Sequence, residues 1–114
     1  MKMKRVYICH PFSADPEGNV RVIREVCRRV VGIGHNPIAP QLALPQFMDD
    51  ATERARAMDL CLDLVGVCDE VWVFRRGAAL TGGQLAEQAE ALRLGKLLCN
   101  ITEDARGTWE FDYE

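Results

Sequence analysis

Asp69-Glu70-Val71-Trp72-Val73-Phe74 is the stretch that decides the fold. Two acids introduce four consecutive apolar residues, β-branched or aromatic, and a short run of this kind predicts a core strand. On its amino-terminal side, Thr52, Arg54, Arg56, Met58, Leu60, Leu62 and Leu64 open a helix reaching about Val67, with acids at Glu53, Asp59 and Asp63. On its carboxyl-terminal side, Thr81-Gly82-Gly83 leads into a helix with Leu85, Ala86, Ala89 and Leu92 along one side, closed by Gly95. Lys96-Leu-Leu-Cys-Asn-Ile101 is then another strand. Further out, Arg5-Val-Tyr-Ile-Cys-His10 reads as a first buried strand ending at Pro11. A loop through Gly18 follows, and from Asn19, a plausible N-cap, Val20, Ile23, Val26, Cys27, Val30 and Val31 recur at helical spacing until Gly32 and Gly34. Asn36-Pro-Ile-Ala-Pro40 is a short strand with two prolines, a pattern suited to a sheet edge. A loop follows it through Pro45 to Asp50.

Strands alternating with helices over short loops predict an α/β fold: a flavodoxin-like three-layer sandwich with a four- or five-stranded, mainly parallel sheet. Right-handed crossovers leave few topologies, the simplest placing the first and third strands side by side. Ligands in such sheets bind outside the carboxyl ends of the strands, where the loops after His10, before Thr52 and after Phe74 meet. The end of the sequence alternates Trp109, Phe111 and Tyr113 with Glu110, Asp112 and Glu114. An extended tail therefore has an aromatic face and an acidic face, either as a fifth edge strand packed on the core or as an arm reaching a neighbouring subunit.

Composition narrows the function. The 114 residues, 48% hydrophobic and 27% charged, make one domain. A domain of this size buries roughly two thirds of its unfolded surface, so a sizeable ligand site is expected at an edge or completed by a second copy. Seventeen Asp and Glu against 14 Lys and Arg, a net charge of −3, argue against nucleic acid as a partner. No apolar run approaches the roughly 20 residues of a membrane span, and the opening MKMKRVYICH is too brief and polar for a signal peptide, so no membrane partner and a cytoplasmic location are expected. Five cysteines without a C-x-x-C pair suggest reduced thiols, and Cys61 and Cys68 lack the two further ligands that zinc would need. No metal or cofactor is expected.

The segment most suggestive of chemistry is Thr81-Gly-Gly-Gln-Leu-Ala-Glu87. Adjacent glycines let backbone approach a ligand, and a helix amino end offers N–H groups to an anion or a sugar hydroxyl. Glu87, one turn inside the helix, points to the same mouth. The same residues also suit ordinary helix capping and dipole compensation.

VYICHPFSADPEGN, an R-x-R-x-M-D helix, CDEVWVF and TGGQLAEQAEALRLGK, in that order, resemble the nucleoside 2-deoxyribosyltransferase superfamily over about residues 4–101, most closely a short bacterial and phage branch. The resemblance implies a small-molecule nucleoside or nucleotide ligand and cleavage or transfer of its N-glycosidic bond, with Glu87 as the nucleophile that forms a glycosyl-enzyme. It also implies Asp59 as a second catalytic acid, and Tyr7, Pro11, Phe12 and Ser13 as contacts to base and sugar. Arg54 resembles a basic position of the short branch, suited to a phosphate or carboxylate. Thr81, Gly82 and Gly83 would line the sugar side. Tyr7 suits a core strand equally well, and Asp59 and Arg54 a solvated helix face. The family's association implies a homo-oligomer, a dimer or multiple of one, with the aromatic tail as contributor.

The sequence departs from the pattern after the third strand, where the superfamily's transferases carry an aspartate and this chain has Arg75-Arg76-Gly77. The two arginines would suit a phosphorylated ligand. The missing acid leaves a second reading open, a non-catalytic nucleotide-binding module that senses or sequesters, and the aromatic tail a third, an assembly subunit.

Overall fold

The computed structural model describes residues 2–12, 14–75 and 79–114. In chain order these form β1 (Arg5–Cys9), α1 (Pro16–Gly32), β2 (Asn36–Ile38), α2 (Pro40–Ala43), a 3-10 turn (Leu44–Gln46), α3 (Arg54–Val67), β3 (Glu70–Arg75), α4 (Gly82–Arg93), β4 (Leu97–Glu103) and β5 (Trp109–Tyr113). The strands make one sheet in the order β2-β1-β3-β4-β5, parallel except for β5, which runs antiparallel to β4. The fold is an α/β three-layer sandwich of flavodoxin-like strand order with a reversed last strand. No helix among the described residues is long and apolar enough to cross a membrane.

The central strands are apolar at their hearts because both their faces are covered. Val6 and Ile8 of β1, Trp72 and Phe74 of β3, and Cys99 and Ile101 of β4 pack with Ile23, Val26 and Val30 of α1. The alternate residues Tyr7, Cys9, Val71, Val73 and Leu98 pack on the other face with Val65 of α3 and Ala91 of α4. Register fixes this partition, because Tyr7 lies beside Val71 and Cys9 beside Val73.

The reversal of β5 follows from its short connection. Asp104 Oδ1 accepts from the backbone N–H groups of Arg106 (2.8 Å) and Thr108 (2.9 Å), and Gly107 takes φ +80°, a tight turn with no room for a crossover helix. The tail is thus an edge strand on its own sheet. Trp109 meets Phe74, and Phe111 meets Trp72, both edge-on, and the Arg29 guanidinium lies 5.2 Å from the Trp109 ring centroid.

Several boundaries differ from the sequence expectation. Helix α1 starts at Pro16, capped by the Asp15 carboxylate, which accepts from Gly18 N–H; Asn19 is inside the helix and buried, its side-chain amide donating to the Phe12 carbonyl at 3.0 Å. Proline at the first helical position loses a hydrogen bond that no helix makes there, which is why Pro16 permits the earlier start. The segment 40–46 holds two short helical turns, and α3 starts at Arg54.

The largest difference is the rotation of α4. The side that carries Leu85, Ala86, Ala89 and Leu92 does not form the buried face; Gln84, Glu87 and Ala91 do, while Leu85 is 55% and Leu92 58% exposed. The helix is turned so that polar side chains reach the strand ends, where they find hydrogen-bonding partners.

Candidate functional site

The segments that follow β1 and β2, with helices α3 and α4, line a cavity of about 480 Å³ at the carboxyl edge of the sheet. Its walls are His10, Pro11 and Phe12 after β1, Gln41 on α2, the segment through Met48 and Asp50, Arg54, Met58 and Cys61 on α3, and Thr81, Gly82, Gly83, Gln84 and Glu87 on α4.

Thr81 and Gln84 set the direction of α4. The Thr81 hydroxyl accepts from Gln84 N–H (3.2 Å), and the Gln84 side-chain oxygen accepts from Thr81 N–H (3.1 Å), a reciprocal capping box. The Gln84 amide then donates to the carbonyls of Phe74 (2.7 Å) and Cys9 (3.3 Å), tying the helix start to the ends of β3 and β1 together. Gly83 lets α3 come close, since a Cβ there would stand 3.2 Å from Met58 Cε. Across the cavity the Gln41 amide donates to the carbonyls of Ile8 (3.0 Å) and His10 (3.1 Å), while its buried oxygen has no hydrogen-bond partner among the described residues.

One turn beyond Gln84, Glu87 is 5% exposed and is one of the residues that line the cavity. The Tyr7 hydroxyl donates to Oε2, and Cys9 Sγ donates to Oε1 at 3.4 Å. Burial pushes the Glu87 carboxyl up to about 7, and donation from Tyr7 and Cys9 holds it from rising further. Burial, with the nearby Glu87 charge, also raises Tyr7 and Cys9, so both stay protonated and act as donors. Burial raises the Cys61 thiol as well. The arrangement is a carboxylate oriented by two neutral donors at the wall of an apolar cleft, suited to attack on, or electrostatic support of, an electron-poor carbon.

Pro11, Phe12, Arg54, Thr81, Gly82, Gly83 and Glu87 meet at this cavity. Tyr7 is not among the cavity walls; it lies behind Glu87 as a fully buried core residue whose hydroxyl donates to the Glu87 carboxylate. Ser13 lies outside the described residues. Asp59 is exposed on α3 and is not among the cavity walls; the carboxylate in the wall on that side is Asp50, which pairs with Arg54 at 3.0 Å. The helix period explains this, because Met58 and Cys61, three apart, line the cavity while Asp59 and Leu60 between them are exposed. Arg75 donates from Nε to Asn100 Oδ1 at 2.7 Å, toward β4, and Arg76 lies outside the described residues. Sequence reasoning missed Gln84, Gln41, Cys9 and Cys61. The Thr81-x-x-Gln84 spacing signals the first; nothing local signals the others, which act through contacts distant in sequence. Among the described residues no group of three or more His, Cys, Asp or Glu could hold a metal ion.

The fold is shared with two solved structures. The chain superposes on a 2-deoxyribosyltransferase from Leishmania mexicana with a TM-score of 0.69 at 21% identity, covering 89% of this chain and 65% of that one. It superposes on the 2-deoxyribosyltransferase of Bacillus psychrosaccharolyticus with a TM-score of 0.73 at 14% identity, covering 89% of this chain and 74% of that one. The chain thus spans less than two thirds of the length of the Leishmania protein. No curated protein matches it. The model of DUF7768, a domain of unknown function, matches residues 4–101, nearly the whole layered sheet, and the chain belongs to that family.

Proposed function

We propose that the protein binds a nucleoside or nucleotide in the cavity beside Glu87 and cleaves or transfers its N-glycosidic bond. The observation that carries the reading is the Glu87 carboxylate, buried at the cavity wall and held by Tyr7 and Cys9. The shared fold with two 2-deoxyribosyltransferases supports the substrate class.

The chemistry follows from the residues. The Glu87 carboxylate attacks the anomeric carbon as the carbon–nitrogen bond breaks, and the electron pair leaves with the base, which takes up a proton. Water or a second base then opens the glycosyl ester and restores the carboxylate. Tyr7 and Cys9 orient Glu87 without neutralising it. The apolar wall of Pro11, Phe12 and Met58 suits a flat base, and Arg54 with Asp50 stands at the rim where polar groups of the ligand would lie. Asp59, exposed as it is, takes no part in this scheme.

The alternative, a binding module that senses or sequesters the same ligand, is favoured by one feature, the absence of an acid between Phe74 and Glu87 in the sequence. Incubation with deoxynucleosides, ribonucleosides and nucleoside monophosphates distinguishes the two. Release of free base by the wild type and its loss in Glu87→Ala support catalysis. A ligand that raises the Tm yet stays intact supports binding alone. No release and no thermal shift from any member of the panel overturn both.

A further inference from the structure

Helix α1, with Leu42 of the short α2, covers the sheet face of Val6, Trp72 and Ile101, and β5, reversed beside β4, brings no crossover helix to extend that layer. A cleft of about 370 Å³ is left between the end of α1 and the sheet, lined by Arg29, Gly32, Ile33, Trp72, Phe111 and Tyr113. It lies on the opposite side of the sheet from Tyr7 and Cys9, the partners of Glu87, and shares no residue with the cavity at the carboxyl edge. Two of its aromatic walls are held by the buried Glu70. That carboxylate accepts from Trp72 Nε1 at 3.1 Å and from the Tyr113 hydroxyl at 2.8 Å, and Lys4 meets its charge at 3.1 Å. On the solvent side, Phe111 is 37%, Tyr113 47% and Ile33 48% exposed.

Among the lining residues only Arg29 is charged. Its guanidinium lies 5.2 Å from the Trp109 ring centroid and 5.3 Å from that of Phe111, and its N–H groups make no hydrogen bond or ion pair among the described residues. A last-turn arginine complements the helix dipole, but that role requires no aromatic platform. The two rings hold the cation in place and leave its fork of donors for an anion. We propose that the cleft binds a small aromatic monocarboxylate, its ring system against Trp72, Phe111 and Tyr113 and its carboxylate on Arg29. Each part of that ligand answers a feature of the cleft. A flat ring gains edge-on or offset contacts with aromatic walls beyond the area it buries. A single negative charge suits the one guanidinium, because Gly32 and Ile33 mark the carboxyl end of α1, where the dipole places about half a negative charge. A phosphate dianion would meet a surplus of negative charge there. The cleft's volume, about 370 Å³, lies toward the small end of ligand pockets.

The chain's two tryptophans both report on this cleft: Trp72 lines it and Trp109 lies beside Arg29, while the walls of the Glu87 cavity hold neither. Their indole N–H signals in a proton–nitrogen NMR spectrum are followed while naphthoate, or its uncharged counterpart naphthamide, is added to about 5 mM, since a bicyclic probe with one charged contact is expected to bind near about 1 mM. Naphthoate should shift both signals saturably and bind about fivefold more tightly than naphthamide, the size of one charge-assisted contact at a partly exposed site. Added salt should weaken naphthoate alone. Arg29→Met, at an exposed position, should keep the circular dichroism spectrum, lose the fivefold preference and bind naphthamide as the wild type does. Phe111→Leu should weaken both probes roughly threefold, and Glu87→Gln should weaken neither. Absence of a saturable Trp72 shift, equal binding of the two probes by the wild type, or equal loss of both in Arg29→Met overturns the proposal. Binding that fails in Glu87→Gln also overturns it, by placing the probe in the other cavity. So does movement of the indole signals on dilution without any probe, which would put a second copy in the cleft. The comparison of the two probes on the wild type needs no variant, and no readout involves turnover, so a failure here is distinct from a failure of the catalytic reading.

Discussion

Tyr7 on β1 donates its hydroxyl to the Glu87 carboxylate on α4, joining residues 80 positions apart at the wall of the cavity. The sheet places Tyr7 on the face that α3 and α4 cover, and the rotation of α4 brings Glu87 to it. A carboxylate this deeply buried would be pushed further toward its neutral form without that donor.

Tyr7→Phe removes the donor and keeps the ring. Glu87 then titrates higher than about 7, because one of the two interactions that hold it down is gone. If Glu87 is the nucleophile, the acid limb of the rate profile moves to higher pH, so activity falls most at neutral pH and recovers partly in alkali. The pH dependence of base release in wild type and variant checks this; coincident profiles would show that Tyr7 does not tune Glu87.

Glu87 also has a thermodynamic signature. Its folded pKa, about 7, stands above the ordinary 4.5, so between these values the folded chain holds more protons than the unfolded one. Stability contributed by the neutral carboxyl is present below about pH 4.5 and is lost as pH rises through 7, a change of order 3 kcal/mol. Glu87→Gln removes the titration and should be more stable than the wild type at pH 8, with the difference shrinking toward pH 5. Urea unfolding at the two pH values measures it.

Glu70 should behave in the opposite sense. It is buried at the start of β3, and although burial alone would raise its pKa, donation from Tyr113 (2.8 Å), Trp72 (3.1 Å) and Lys4 (3.1 Å) outweighs it and lowers the carboxyl. Its stabilisation is present above the ordinary value of 4.5 and disappears as pH falls through the depressed folded value. Glu70→Gln is expected to cost about 1–3 kcal/mol at pH 7, and the difference from wild type should narrow below pH 4. Tyr113→Phe should cost about 1 kcal/mol, by detaching one end of β5.

Gln84→Ala removes half of the capping box and leaves the Phe74 and Cys9 carbonyls without this donor. The combined loss is about 2–4 kcal/mol. Gln84→Glu keeps the acceptor for Thr81 but loses the donor, so its cost should be similar. Equal stability of wild type and both variants in urea would show that the strand ends are held together by other contacts.

The elements and their layering are legible in the amino-acid pattern alone. Apolar runs at 6–9, 71–74 and 97–99 are long enough only for strands and too continuous to face water, and the helical periods between them leave a parallel sheet covered on both sides as the compact solution. The pattern also determined that a glycine-bearing turn would open a helix at the carboxyl edge of the sheet, because the Thr81-Gly82-Gly83 signal is local. Which way α4 faces depends instead on contacts between distant elements. Its apolar side chains promised burial, yet the helix is held by the capping box and by Gln84 on two strand carbonyls, contacts formed with residues 10 and 75 positions away. Hydrogen bonds to groups that would otherwise be buried and unpaired outweigh the exposure of two leucines. That one rotation sets Glu87 against Tyr7 and Cys9 and leaves Leu85 and Leu92 on the outer surface. None of these is a property of a sequence window, because each depends on where distant strands end.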